Sequence, residues 1–150
     1  MNIAIYTFNS STDTLPVFNN GYVYTYTDVD NGDDTTTRTI TSDSLPSSIS
    51  FKDKTGLVSV SYLDTSNVTT MSEMFYYCNK LTSVDTSKWD TSKVTDMYKM
   101  FYKCQSLTSL DVSNFNTSNV TNLDQAFELC STLTELDLSS WNTSKVSSYW

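Results

Sequence analysis

The chain has 150 residues, a formal net charge of −8 at neutral pH, and no histidine. Its nine Lys and Arg residues are scattered, which argues against nucleic acid or an anionic membrane surface as a partner, since clustered basic side chains hold both. Without histidine, Ser-His-Asp catalysis, Cys-His catalysis and histidine-containing zinc sites are excluded together.

The N-terminus, Met1-Asn-Ile-Ala-Ile-Tyr, has neither the basic region nor the apolar core of a secretory signal, and no stretch is long and apolar enough to span a membrane. A natural start at Met1 therefore implies that the usual export route is not used. Residues 3–41 read as β structure. Ile3, Ile5 and Thr7 alternate with Ala4, Tyr6 and Phe8, and Tyr22 to Val29 alternates more clearly still. Asn19-Asn20-Gly21 and Asn31-Gly32 are turn signals that tolerate positive φ, Pro16 restricts its segment to an edge strand or loop, and Thr35–Thr41 is the return strand. A small antiparallel sheet or long hairpin over residues 1–44 is expected, acting as a docking or anchor segment. Asp28, Asp30, Gly32 and Asp34 are spaced somewhat like a calcium loop, but the glycine is one place early and the twelfth position is Thr39, so a solvated hairpin tip is preferred.

From residue 64 the sequence repeats with a period of 26: Asp64–Trp89, Asp90–Phe115 and Asn116–Trp141. The repeats agree at Val68/Val94/Val120, Phe75/Phe101/Phe127, Cys78/Cys104/Cys130, Leu81/Leu107/Leu133 and Trp89/Phe115/Trp141. Residues 45–63 hold a degenerate copy, with Phe51, Leu57 and Val60 at the spacing of Phe75, Leu81 and Val84, as a capping unit would. Residues 142–150 begin a fourth copy, with Tyr149 in the place of Met71. Such a period points to stacked units that bury their apolar faces against one another. In the first half of each repeat, Met71, Met74, Phe75 and Cys78 share one stripe of helical spacing, and Thr70 with Glu73 and Asn122 with Gln125 look like helix starts. The second half, such as Leu81 to Ser87, reads as one short strand. The expected fold is a leucine-rich-repeat-like α/β solenoid, with one helix and one short parallel strand per repeat, preceded by the antiparallel segment.

The repeat pattern (D/N)TS(N/K)VTxMxxMFxxCxxLTSLDxSx(W/F), seen almost letter for letter in Asp90–Phe115, resembles the repeat of BspA-type leucine-rich proteins and the related lactobacillal surface-protein repeat. The resemblance covers roughly residues 45–150. It implies a right-handed leucine-rich-repeat-like solenoid and surface adhesion or recognition without catalysis. Residues 1–44 lie outside it.

Four ladders carry the candidate chemistry. Cys78, Cys104 and Cys130 lie on the inward stripe, too far apart on neighbouring helices for a disulfide and without a fourth ligand for zinc, so they read as packed small hydrophobes. Asp85, Asp111 and Asp137 would stack about 4.8 Å apart, where two carboxylates repel by roughly 3 kcal/mol at an effective dielectric near 20. Either each accepts the backbone N–H two residues on, the preferred reading, or a cation bridges them. The same spacing suits a retaining glycosidase, but a regular ladder gives its members like environments, whereas that chemistry needs unlike ones. Trp89, Phe115 and Trp141, like Phe75, Phe101 and Phe127, read as core.

Tyr76 and Tyr102, with Tyr77 and Tyr98 nearby, lie on the outward stripe and, with Asp85, Asp111 and Asp137, make up the candidate ligand surface; the tyrosines dock glycan or protein, or simply cover the stems beneath them. Five glycosylation sequons, at Asn9, Asn67, Asn116, Asn119 and Asn142, reflect composition, and Asn116 and Asn142 share the turn position of Asp64 and Asp90.

The expected function is therefore non-enzymatic attachment, with no cofactor, metal, nucleic acid or membrane partner. The chain would be a bacteriophage fibre, head-fibre or decoration component on the virion surface, meeting a host-surface glycan or protein. Residues 1–44 would join it to other virion proteins and organise a homo-oligomer, a trimer being one form. The alternatives are a fragment of a bacterial cell-surface adhesin and a protein–protein scaffold.

Overall fold

The computed structural model describes residues 1–9, 11, 15–19 and 23–148. Its strands are β1 (Asn2–Asn9), β2 (Val17–Phe18), β3 (Thr25–Asp30), β4 (Thr35–Thr41), β5 (Ile49–Ser50), β6 (Leu57–Leu63) and β7 (Ser83–Val84). Five form one sheet in the order β3-β4-β1-β6-β7, and β2 pairs with β5 in a second. The β3–β4 hairpin turns at residues 31–34, where Gly32 and Asp34 take positive φ. Asn20, Gly21 and Tyr22 of the expected earlier turn and strand, and Tyr149 and Trp150 of the fourth copy, lie outside the described residues.

Strand β1 is antiparallel to both β4 and β6, so the degenerate repeat joins the N-terminal sheet directly. Ala4, Tyr6 and Phe8 alternate into the core beside Ile40, Leu57 and Val60, and the Tyr6 ring meets Phe51 edge-on at 5.0 Å. On its other side β6 runs parallel to β7 of the first 26-residue repeat. Sheet and repeats thus share one core.

The leucine-rich-repeat-like α/β solenoid, with a helix in every repeat, does not form. The described residues contain no helix, and the regular structure is β. Nor does each repeat hold a strand: β7 is the only one found after residue 63 among the described residues.

The cause lies in where the amides go. In the first repeat Met71, Glu73, Phe75 and Tyr77 donate to the carbonyls of Asp96, Tyr98, Met100 and Tyr102, at 2.7–2.9 Å. Met97, Lys99, Phe101 and Lys103 do the same to Asn122, Asp124, Ala126 and Glu128. The amides between them close local turns, Met74 to Met71, Tyr76 to Glu73 and Cys78 to Phe75. A helix starting at Thr70 would give the amides from Phe75 on to carbonyls four residues back in its own segment, not to the next repeat.

Two residues per repeat also take positive φ, Glu73 and Tyr77, Lys99 and Lys103, Gln125 and Leu129. For side chains with a Cβ this costs about 1–2 kcal/mol each relative to the right-handed form, and it stops a helix outright. Because these kinks are four residues apart, they still turn Met71, Met74, Phe75 and Cys78 to the same side, and all four are fully buried. Isolated parallel bridges Thr70–Asp96, Asp96–Asn122 and Asn122–Ser148 keep successive repeats in register.

The register stacks like on like. Phe51, Phe75, Phe101 and Phe127 lie ring on ring at 5.5, 5.1 and 5.8 Å. Trp89, Phe115 and Trp141 form a second column at 5.7 and 6.0 Å. In the third repeat Leu123, Phe127, Leu133, Leu136 and Trp141 are only half-buried.

Glycine separates this backbone from a helical one. In a helix Gln125→Gly would cost about 0.5–1 kcal/mol. At the positive φ of Gln125, removing Cβ relieves strain, so stability to urea should hold or rise by up to about 1 kcal/mol.

Candidate functional site

Each thiol of the cysteine ladder donates to the phenylalanine carbonyl one layer earlier: Cys78 to Phe51 at 3.0 Å, Cys104 to Phe75 at 3.2 Å and Cys130 to Phe101 at 3.0 Å. All three are free. Burial pushes Cys78 up to about 12, Cys130 up to about 11, and Cys104 well above the ordinary thiol value. Protonated thiols bonded to backbone are poor nucleophiles and poor metal ligands.

Asp85, Asp111 and Asp137 are exposed, and each Oδ1 accepts the amide two residues on, from Ser87, Ser113 and Ser139, at 2.8–2.9 Å. Asp64, Asp90, Asn116 and Asn142 make the same contact at the other end of the repeat. The serine hydroxyl and then its amide hold Asp85, Asp90, Asp111 and Asp137 below the usual carboxylate value, and for Asp111 the neighbouring Asp137 opposes this. Among the described residues no three of His, Cys, Asp or Glu gather as a metal-binding group.

At the calcium-like tip the carboxylates also have internal partners. Asp28 takes the Arg38 guanidinium, Asp30 accepts from the Gly32 amide, and Asp33 from the Thr35 amide.

The sequence reading missed a buried polar ladder. Thr65, Thr91 and Thr117, each 1% exposed, donate through Oγ1 to the carbonyls of Asp90, Asn116 and Asn142. The same oxygens accept those residues' amides at 2.7–2.8 Å. The invariant Thr of the (D/N)TS triplet was the available signal.

Tyr76, Tyr77, Tyr98 and Tyr102 do come together on the outer surface. Tyr76 stacks on Tyr102 at 5.1 Å with planes 7° apart, and Tyr77 lies 6.3 Å from Tyr76. Lysines brace the rings. Lys52 lies 5.0 Å from Tyr76, Lys99 lies 4.9 Å from Tyr98 and 5.2 Å from Tyr102, and Lys103 lies 5.2 Å from Tyr77 and 5.4 Å from Tyr102.

Lys52 is also paired with Glu73 at 2.7 Å, and that hydrogen bond raises its pKa. The Tyr98 hydroxyl raises that of Lys99. The stack arises because Lys52, Tyr76, Tyr102 and Glu128 occupy one position of successive layers. A ligand would meet a preordered aromatic strip whose faces are taken by stacking and by ammonium groups, with ring edges for apolar contact and N–H donors for oxygen.

A family model described as "Mycoplasma protein of unknown function, DUF285" matches residues 47–149. The chain belongs to this family. The match begins inside the degenerate repeat, so β1 to β4 lie outside the DUF285 region while pairing directly with it through β6. No curated protein and no solved structure matches the chain.

The aspartate caps make acid sensitivity directional. Their folded-state pKa values are depressed, so their contribution is complete above the ordinary carboxylate value of about 3.9 and is lost as pH falls through the lower folded values. Thermal stability should therefore be flat from pH 7 to about pH 5 in this respect and fall below about pH 4. Asp111→Asn, which keeps the cap as Asn116 does naturally, should cost little at pH 7 and flatten part of the acid limb.

Proposed function

We propose that the chain is a non-enzymatic attachment and recognition protein that offers the Tyr76, Tyr77, Tyr98 and Tyr102 face to a glycan or protein on a host surface. The observation that carries this reading is the Tyr76–Tyr102 stack with Lys99 and Lys103 against its rings. Rigid aromatic area costs little entropy to dock, and a repeat-built strip suits several weak contacts made at once.

The Asp85, Asp111 and Asp137 ladder suits hydrolysis poorly, since all three carboxylates are shifted in one direction by the same kind of serine contact. The resemblance to BspA-type surface repeats is in keeping with attachment. In the first setting considered, the chain is a virion fibre, head-fibre or decoration component that residues 1–44 join to other virion proteins. A bacterial cell-surface adhesin is the second setting, and a protein–protein interaction scaffold the third.

Binding to host cells or a glycan array should weaken about 5- to 30-fold in Tyr102→Ala, from the roughly 1–2 kcal/mol expected of a central aromatic contact. Asp111→Asn should bind normally. Unchanged binding in Tyr102→Ala would show that the ligand sits elsewhere.

A further inference from the structure

Among the described strands, β3 is the one exposed at every residue. It ends the five-stranded sheet, and all six of its residues, Thr25 to Asp30, are exposed. Val23, Tyr26 and Val29 around it are 80, 49 and 62% exposed. It holds no proline, lysine or bulge, and of its two charged residues Asp28 is paired with Arg38, which leaves Asp30, among the described residues, as its one unpaired charge against edge pairing.

Its hydrogen-bonding sense follows from the hairpin. Asn31 donates to Thr35, and the register then runs without a break from Asp30–Thr36 to Thr25–Thr41. Antiparallel bonding alternates, so Val29, Thr27 and Thr25 bond inward to β4, while Tyr26, Asp28 and Asp30 turn their N–H and C=O outward. On the core side of the sheet, Asp28 is held by both Nε and Nη2 of Arg38 at 2.7 Å. That guanidinium lies between Phe8 and Tyr26, at 4.8 and 4.3 Å. The Asp28 carboxylate is thus held in place on the core side of the edge.

We propose that two copies of this chain pair through β3, antiparallel about a two-fold axis at Thr27, to form one continuous sheet across both. The register follows from charge, bonding sense and overlap: an axis on Tyr26 also avoids like charges but pairs only Thr25 to Thr27 within the strand, whereas an axis on Thr27 pairs Thr25 to Val29. Centring the axis on Asp28 sets Asp28 against its own copy, and centring it on Val29 sets Asp28 against Asp30. Like charges directly opposite destabilise a pair. Centring on Thr27 sets Tyr26 against Asp28 and Tyr24 against Asp30, with outward-turned residues facing each other, and it brings Val29 beside Thr25 on the opposite face. Tail-to-tail use of the third repeat has no such fit, because the series of amides that ends there offers donors only: the carbonyls of Leu123, Gln125 and Phe127 already accept from Ala126, Glu128 and Cys130. The proposal does not depend on the ligand face.

The axis makes its own test. At Thr27 the two copies form a non-hydrogen-bonded pair, whose Cα separation of about 4.5 Å lies within the range a disulfide accepts. Cys78 and Cys104 are buried and Cys130 is half-buried with its pKa raised, so T27C supplies the one accessible thiol among the described residues.

In sedimentation over a concentration series, the full-length wild-type chain should pass from monomer to dimer. T27E, which sets two carboxylates face to face on the axis, should raise the dissociation constant at least tenfold. Under mild oxidation T27C should give a covalent dimer and T25C should not. A wild-type chain that stays monomeric, a trimer, no cross-link in T27C, or equal cross-linking of T25C and T27C would each overturn the proposal.

Discussion

The interaction on which the rest depends is the one-way row of amide bonds between repeats. From Met71 to Tyr77 and again from Met97 to Lys103, every second N–H is given to the next layer, and the amides between them close tight turns. This division satisfies the backbone without a helix or a long strand. Each donor–acceptor pair is 25 residues apart, so it also fixes the register that sets Phe on Phe, thiol against phenylalanine carbonyl, and Thr hydroxyl on the next peptide. The Tyr76–Tyr102 strip is the outward image of the same register, which makes the candidate ligand face a product of the architecture.

The N-terminal sheet does more than precede this stack. Strand β6 belongs to the degenerate repeat by sequence and to the sheet by pairing, and it passes the parallel register on to β7. Phe51 extends the phenylalanine column and meets Tyr6 of the sheet, so a single core runs from β1 into the repeats. The free edge of β3 and the tyrosine face therefore sit on a common body, and pairing at one would multiply the copies of the other.

Much of the burial was legible because apolar spacing reports which side chains face inward. Met71, Met74, Phe75 and Cys78 were placed correctly from their period, and the alternation around Thr25–Thr41 coincides with the β3–β4 hairpin. Conformation was not legible from the same spacing. Two left-handed residues four apart leave Met71, Met74, Phe75 and Cys78 buried together as a helix would, and here they are Glu73 and Tyr77 or Lys99 and Lys103, side chains that give none of the glycine or asparagine signal such positions usually show. The helix and the leucine-rich-repeat-like solenoid built on it failed for that reason. At the site, the grouping of the tyrosines was readable from their outward positions. The lysines above them, the threonine ladder and the Arg38–Asp28 clasp depend on contacts between layers or strands that no local pattern displays.

The central claim is that alternate amides in each repeat serve the next layer and that left-handed residues prevent a helix. Residue-by-residue NMR of the backbone tests it most directly, through the amide–α-proton couplings and the partners of the amides of Met71, Glu73, Phe75 and Tyr77. The account predicts positive φ at Glu73, Tyr77, Lys99 and Lys103, with those four amides bonded to Asp96, Tyr98, Met100 and Tyr102. An unbroken run of negative φ from Met71 to Cys78, with each amide bonded four residues back, would contradict it.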